Sequence, residues 1–205
     1  MAKSQKDKDT GEKILAAARK VFLIKGMAGA RMQDIADEAG MNKALLHYYF
    51  SSKEKLFEVI FLDEAKKFFP KVNMIFESDS SLFEKIEQFT AEYIDEIQQN
   101  PYLPLFIINE INQNPEKFLY KIWGKSYLPR PEKFLAQVDK EVRKGIIKPI
   151  SPVHLLVNIL SMCIFPFMAK PMIMRTIGLD DLQFRMLMEQ RKIEIPKFII
   201  ASIKK

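Results

Sequence analysis

Helix-start signals and apolar residues at three- and four-residue spacing follow one another along almost the whole chain. Ile14, Ala18, Val21 and Phe22 form one such face, and Leu82, Ile86, Phe89, Tyr93 and Ile97 a second. Phe134, Leu135, Val138 and Val142 form a third. This periodicity confines the fold to packed helices. Composition points the same way: among 205 residues, 7 Gly, 3 Thr and 7 Val stand against 16 Phe and 11 Met, which disfavours a sandwich or barrel. With 48% apolar and 28% charged residues, the chain has enough to bury and the balance of a soluble globular protein. The expected class is all-α.

Capping and breaking residues divide the chain. Asp9 with Glu12 resembles a capping box for a first helix that Gly26 ends near residue 25. A second helix is expected from about Met32 to Ala39, a tight turn at Gly40 and Met41, and a third helix from about Lys43 to Tyr49. Ser51 with Glu54 reads as the box of a fourth helix carrying Leu56, Phe57, Ile60, Phe61, Phe68 and Phe69 until Pro70 stops it. Residues 1–53 thus form one small three-helix domain and 54–205 a second helical domain. In the latter, Ser81 and Glu84 cap a helix, and Pro101 and Pro104 precede another over Leu105 to Ile111. A helix from Glu116 turns Phe118, Leu119, Ile122 and Trp123 inward. Pro129 and Pro131 break the chain before a helix that runs to Gly145. Ser151 and Pro152 start an apolar helix, Pro171 to Gly178 reads as a connection, and a last helix begins near Asp180 with a kink or interruption at Pro196.

Several function classes drop out. The single cysteine, Cys163, rules out an internal disulfide or a cysteine-built zinc site and suits a reducing cytoplasm; within its apolar helix it reads as a packed thiol. The first twelve residues are a polar arm with no secretory h-region. Leu155 to Met168, the most apolar stretch, is shorter than the ~20 residues of a membrane span, so no membrane partner is expected. His47 and His154 lie far apart, and neither a nucleophile elbow, an H-E-x-x-H pair nor a glycine-rich phosphate loop is present. No catalytic residues, metal ligands or cofactor are assigned, and the chain is not read as an enzyme. Net charge is +6. Residues 1 to 56 hold 11 Lys or Arg against 7 Asp or Glu, a balance of +4, which suggests a polyanionic partner at that end.

The segment MQDIADEAGMNKALLHYYFS, Met32 to Ser51, carries the function. Two short helices pack steeply around a tight turn only if their contact is small and the turn accepts a left-handed backbone; Ala36 and Gly40 occupy those places. Ile35, Ala39, Leu46 and Tyr49 face inward, leaving Gln33, Asn42, Lys43, Ala44, His47 and Tyr48 outside. That outer face is polar, basic and aromatic, as a helix lying in a major groove requires.

On this segment, and on LLHYYFSSKEKLF from Leu45 to Phe57, the chain resembles the TetR family of bacterial transcriptional regulators over about residues 10 to 62. It departs from that family in reading Gly29-Ala30-Arg31 before the second helix, Ala44 and Leu45 within the third, and His47-Tyr48 in inverted order. The resemblance implies an N-terminal helix-turn-helix DNA-binding domain and a C-terminal helical ligand-binding and dimerisation domain. Double-stranded DNA would be met by Arg31, Gln33, Asn42, Lys43, Ala44, His47, Tyr48 and Lys53, the last in the first turn of the fourth helix, where free N–H groups attract phosphate. Tyr49 reads as core. It also implies a homodimer, with Leu156, Leu160, Cys163, Phe198 and Ile199 as interface residues, and a pocket for a small apolar or aromatic effector lined by Phe89, Tyr93, Phe106, Trp123, Phe165 and Met168. Core burial within the subunit is the alternative for both sets. The function so implied is a ligand-responsive repressor of a palindromic operator. The alternative is an all-α apolar-ligand-binding protein whose N-terminal bundle docks a protein.

Overall fold

The computed structural model describes residues 2–113, 115–116 and 129–205, and every element among them is a helix. In chain order these are α1 Ala2–Gly29, α2 Met32–Glu38, α3 Lys43–Tyr49, α4 Lys53–Glu77, α5 Leu82–Gln99 and α6 Leu103–Gln113, then α7 Glu132–Arg143, α8 Pro152–Met168, α9 Lys170–Ile177 and α10 Asp181–Ile203. The chain divides into two compact units, Met1–Lys66 and Lys67–Lys205. The helix expected after Glu116, with Phe118, Leu119, Ile122 and Trp123, lies outside the described residues.

The N-terminal unit is built on α1. Ile14, Ala18, Val21 and Phe22 are buried along one face, and Phe22 meets Phe57 edge to face at 5.0 Å. The helix already runs from Ala2, so Asp9 is an interior residue rather than the expected cap. At Gly26 the backbone turns out of the helix with φ 65°, a value glycine adopts without a Cβ penalty. The cap of α4 falls one residue later than expected: Ser52 Oγ accepts the Lys55 N–H at 3.1 Å. Leu56, Phe57, Ile60 and Phe61, the first inward positions of α4, complete this core, so the unit extends to Lys66 rather than closing near residue 53.

The C-terminal unit has a larger, aromatic-rich core. Pro70 does not stop α4, which continues to Glu77. The missing N–H of Pro70 costs one intrahelical bond. Burial of Phe68, Val72 and Phe76 at four-residue spacing on one side offsets that loss. Phe76 stacks on Phe134 and packs against Phe89, both at 5.0 Å, and Phe89 meets Tyr93 at 5.5 Å. Ser81 and Glu84 form the expected reciprocal cap of α5, and Gly145, with φ 68°, follows α7.

The segment Pro171 to Gly178 is a helix, not a plain connection. Pro171 sits in the first turn of α9, where no N–H is required, and Gly178 closes it in the left-handed conformation. Asp180 and Gln183 then cap α10, which continues without interruption through a buried Pro196. Cys163 lies in the core, where burial pushes its thiol up to about 12; the group is packing rather than a reactive thiol. Among the described residues no single helix is long and apolar enough to cross a membrane, and α8 with α9 reaches that length only as a pair bent by 72°.

Candidate nucleic-acid interface

Short helices hold this site in place. α2 and α3 have seven residues each, and the turn between them places Gly40 at φ 65°. Ala36 is fully buried beneath that turn, Ile35 and Leu46 are fully buried, and Ala39 and Tyr49 are half-buried. The inward set read from the sequence is therefore the one that packs. The start of α2 lacks a side-chain acceptor at Arg31, because a guanidinium only donates. Asp34 supplies the reciprocal half of a cap by accepting the Arg31 N–H at 2.9 Å. Lys25 lies 2.8 Å from the same carboxylate. The hydrogen bond from Lys25, then that from the Arg31 N–H, holds Asp34 below the ordinary carboxylate range.

Tyr49 is fixed from behind. Its hydroxyl donates to Asp7 Oδ1 at 3.0 Å, tying α3 to the beginning of α1. Burial, then the Asp7 carboxylate, raises its phenol above the usual value. Lys20 with Glu38 at 3.0 Å and Arg19 with Asp63 at 2.6 Å brace the unit further, and Glu64 also accepts from Arg19. Glu38 and Asp34 are already counted in the +4 of residues 1 to 56, whereas Asp63 and Glu64, the partners of Arg19, lie beyond that stretch and reduce the positive charge the unit presents.

All of the outward candidates Arg31, Gln33, Asn42, Lys43, Ala44, His47 and Tyr48 are exposed, and α3 gathers the last four on one surface. They are not equally available. Asn42 Oδ1 accepts the Leu45 N–H at 2.7 Å as the N-cap of α3, and Gln33 Nε2 donates to Asp37 Oδ1 at 2.7 Å one turn along α2. Lys53 is half-buried, and its ammonium donates to the carbonyl oxygens of Met27 at 2.7 Å and Ala30 at 3.1 Å, clamping the α1–α2 connection. One of its three N–H groups is left over for a phosphate. Lys43, in contrast, forms no ion pair or hydrogen bond among the described residues.

One outward residue escaped the sequence reading. Leu45 is 39% exposed and Tyr48 82%. At 100° per residue, Ala44 occupies the middle of the outward arc of α3, with His47 and Lys43 to one side and Tyr48 and Leu45 to the other. The signal was present in the three-residue spacing of Leu45 and Tyr48, but the adjacent Leu46 makes the pair look like core.

Of the residues expected around an effector, Phe89 and Tyr93 lie side by side. Phe89 is buried in the aromatic stack, while Tyr93 and Met168 are half-buried. Burial is also the main cause that raises the Tyr93 phenol. Phe165 is 55% exposed and points away from the core, so it lines no interior cavity. The Phe106 side chain and Trp123 lie outside the described residues. A groove of about 420 Å³ on the C-terminal unit is lined by Ser80, Lys133, Gln137 and Lys140 together with Ala136 and Ile146. Of the expected interface residues, Cys163 and Ile199 are consumed by the subunit's own core, Leu156 and Leu160 sit at its edge, and Phe198 is exposed. With Phe198, the large apolar residues left facing outward on α8 and α10 are Val153, Val157, Phe165, Leu182, Met186 and Ile193.

Comparison with known proteins places this geometry. Residues 14–60 match the family of bacterial regulatory proteins, tetR family. The chain is 29% identical over 119 residues to IcaR of Staphylococcus aureus strain Newman, a negative transcriptional regulator of a biofilm operon; the match covers 56% of this chain and 60% of that protein. It is 28% identical over 160 residues to YfiR, an HTH-type transcriptional regulator of Bacillus subtilis strain 168, covering 74% of each. In fold it is similar to HlyIIR, a hemolysin II transcriptional regulator, with TM-score 0.61 at 21% identity over 97% of this chain and 98% of that one. The ketosteroid regulator KstR2 of Mycobacterium tuberculosis gives TM-score 0.65 at 14% identity, with 95% of each chain covered.

Proposed function

From the match of residues 14–60 to the tetR family of bacterial regulatory proteins, we propose that the chain is a homodimeric repressor of that family that lays α3 of each subunit in the major groove of a palindromic operator. The observation that carries this reading is the exposed face of α3 set over the fully buried Ile35, Ala36 and Leu46. A helix so held presents side chains to base edges without moving its backbone. Lys43 and the remaining N–H of Lys53 supply phosphate contacts, with Arg31 beside them. His47 and Tyr48 donate to backbone oxygens or base edges. Asn42 and Gln33 act chiefly as supports for α3 and α2.

Self-association rests on the outward apolar side chains of α8 and α10, Phe198 among them, with Leu156 and Leu160 at their margins. A second copy covers them, and two-fold symmetry then matches two recognition helices to two half-sites. The C-terminal unit takes a small apolar or aromatic effector beside Phe89 and Tyr93, and occupancy weakens operator binding. A hundredfold loss of affinity needs about 2.7 kcal/mol of coupling between the two events.

The test is selection of duplexes from a random pool by the purified chain at low ionic strength, paired with sedimentation to read subunit number. Enrichment of an inverted repeat by a dimer is the expected outcome. A stable single subunit that retains no duplex, but still takes up an apolar ligand, would favour a ligand-binding protein whose N-terminal bundle docks another protein.

A further inference from the structure

The outward arc of α3 is unusual in what it withholds. The amides suited to paired hydrogen bonding with adenine, Asn42 and Gln33, are engaged within the unit at 2.7 Å each, and Lys53 is turned onto two carbonyl oxygens. What remains in the middle and on one flank is a methyl group, a leucine and a phenol ring: Ala44, Leu45 and Tyr48. Lys43 and His47 occupy the other flank.

Each base pair shows the major groove a distinct set of groups, and only thymine offers a methyl. An apolar side chain in the groove gains nothing from a purine edge, whose acceptors it strips of water without replacing the hydrogen bonds. Against a thymine methyl the same side chain buries apolar surface on both partners. Lys43, which has no partner among the described residues, supplies from the neighbouring flank the charge that draws this otherwise apolar face onto the phosphate-lined groove.

We infer that Leu45, with Ala44 and Tyr48 beside it, selects operators by the 5-methyl groups of thymines, so that methyl contact rather than amide hydrogen bonding determines sequence preference on that flank. The inference rests on the DNA-binding reading above and adds to it the chemistry of the partner. On the arc Tyr48 lies between Ala44 and Leu45, so its ring bounds the methyl on the side toward the middle, where Ala44 leaves room for the base to approach.

The test uses the intact wild-type chain and the duplex it enriches from a random pool. Each thymine in a half-site is replaced in turn by uracil, which removes the methyl and keeps every base-pairing and groove hydrogen-bonding group. At one or two positions per half-site the wild-type protein should lose about fourfold in affinity per methyl, the equivalent of one buried carbon. Symmetric replacement in both half-sites should then lose about fifteenfold. Leu45→Ala should bind thymine and uracil duplexes more nearly alike, with its fold checked by circular dichroism. Equal wild-type affinity for the thymine and uracil duplexes at every position would overturn the inference while leaving DNA binding intact. Failure to enrich any duplex would instead remove the reading on which it rests.

Discussion

The two compact units handle side chains in opposite ways. In the N-terminal unit a small core of Ile14, Phe22, Ile35, Leu46 and Phe57 serves to hold short helices still, and function lies on what those helices leave outside. In the C-terminal unit the aromatic residues Phe76, Phe89 and Phe134 pack on one another, and any effector must compete with that packing. Helical periodicity reports directly on an outward surface. It says far less about a cavity, because burial and cavity lining leave the same pattern in a sequence.

The two units should part most sharply at their aromatic anchors. Phe57→Ala and Phe134→Ala should each cost about 3–5 kcal/mol of stability, but in different places. Phe57→Ala should remove hydrogen-exchange protection from α1 to α3 and abolish duplex binding, while α5, α7 and α10 keep theirs. Phe134→Ala should do the reverse. Loss of protection throughout the chain in both variants would show that the units are not separate stabilising entities.

A smaller change tests the turn alone. Gly40 adopts φ 65° with no neighbouring heavy atom within 4 Å of where a Cβ would sit, so Gly40→Ala meets backbone strain without a clash. The expected cost is about 1–2 kcal/mol, seen in chemical denaturation, with duplex affinity falling because α3 is displaced.

The fate of Lys53 shows what sequence alone does not carry. Its place at the start of α4 was legible, but its engagement with Met27 and Ala30 depends on how Gly26 turns the chain. The same holds for the cap of α4: Ser51 with Glu54 reads as a box, yet it is Ser52 whose hydroxyl accepts the Lys55 N–H. Phe165 and Cys163 lie two residues apart on α8, yet one is outside and the other inside. An almost wholly apolar helix has no polar face to set its orientation. By contrast, Ala36, Gly40 and Leu46 were legible because a steep helix pair admits few residue types at those positions.

Lys53→Ala sharpens the division between clamp and contact. It should weaken all duplexes alike and make the dependence of log affinity on log salt shallower by about 0.9, one phosphate's worth. Uniform weakening with an unchanged slope would assign Lys53 to holding the α1–α2 connection alone.

The smallest expected effect lies in the C-terminal unit. Lys85 is 1% exposed, donates to the Phe76 carbonyl at 2.9 Å, and burial holds its ammonium below the ordinary lysine range. Between that lowered value and the unfolded one near 10.5, the unfolded chain binds more protons, so stability should rise with pH across the window. Lys85→Met should raise stability at neutral pH by about 1 kcal/mol and flatten the alkaline rise, both measurable by denaturant titration. Destabilisation by Lys85→Met would mean that the carbonyl contact outweighs the desolvation of the charge.

The central claim is that the exposed face of α3 meets a DNA duplex. Its most direct test is the affinity of the intact chain for its own enriched duplex, followed from about 50 to about 200 mM salt. A straight log–log line falling by about 0.9 per phosphate contacted, made shallower by Lys43→Ala, is the result this account requires. No retained duplex at the lowest salt, or an affinity indifferent to salt, would contradict it.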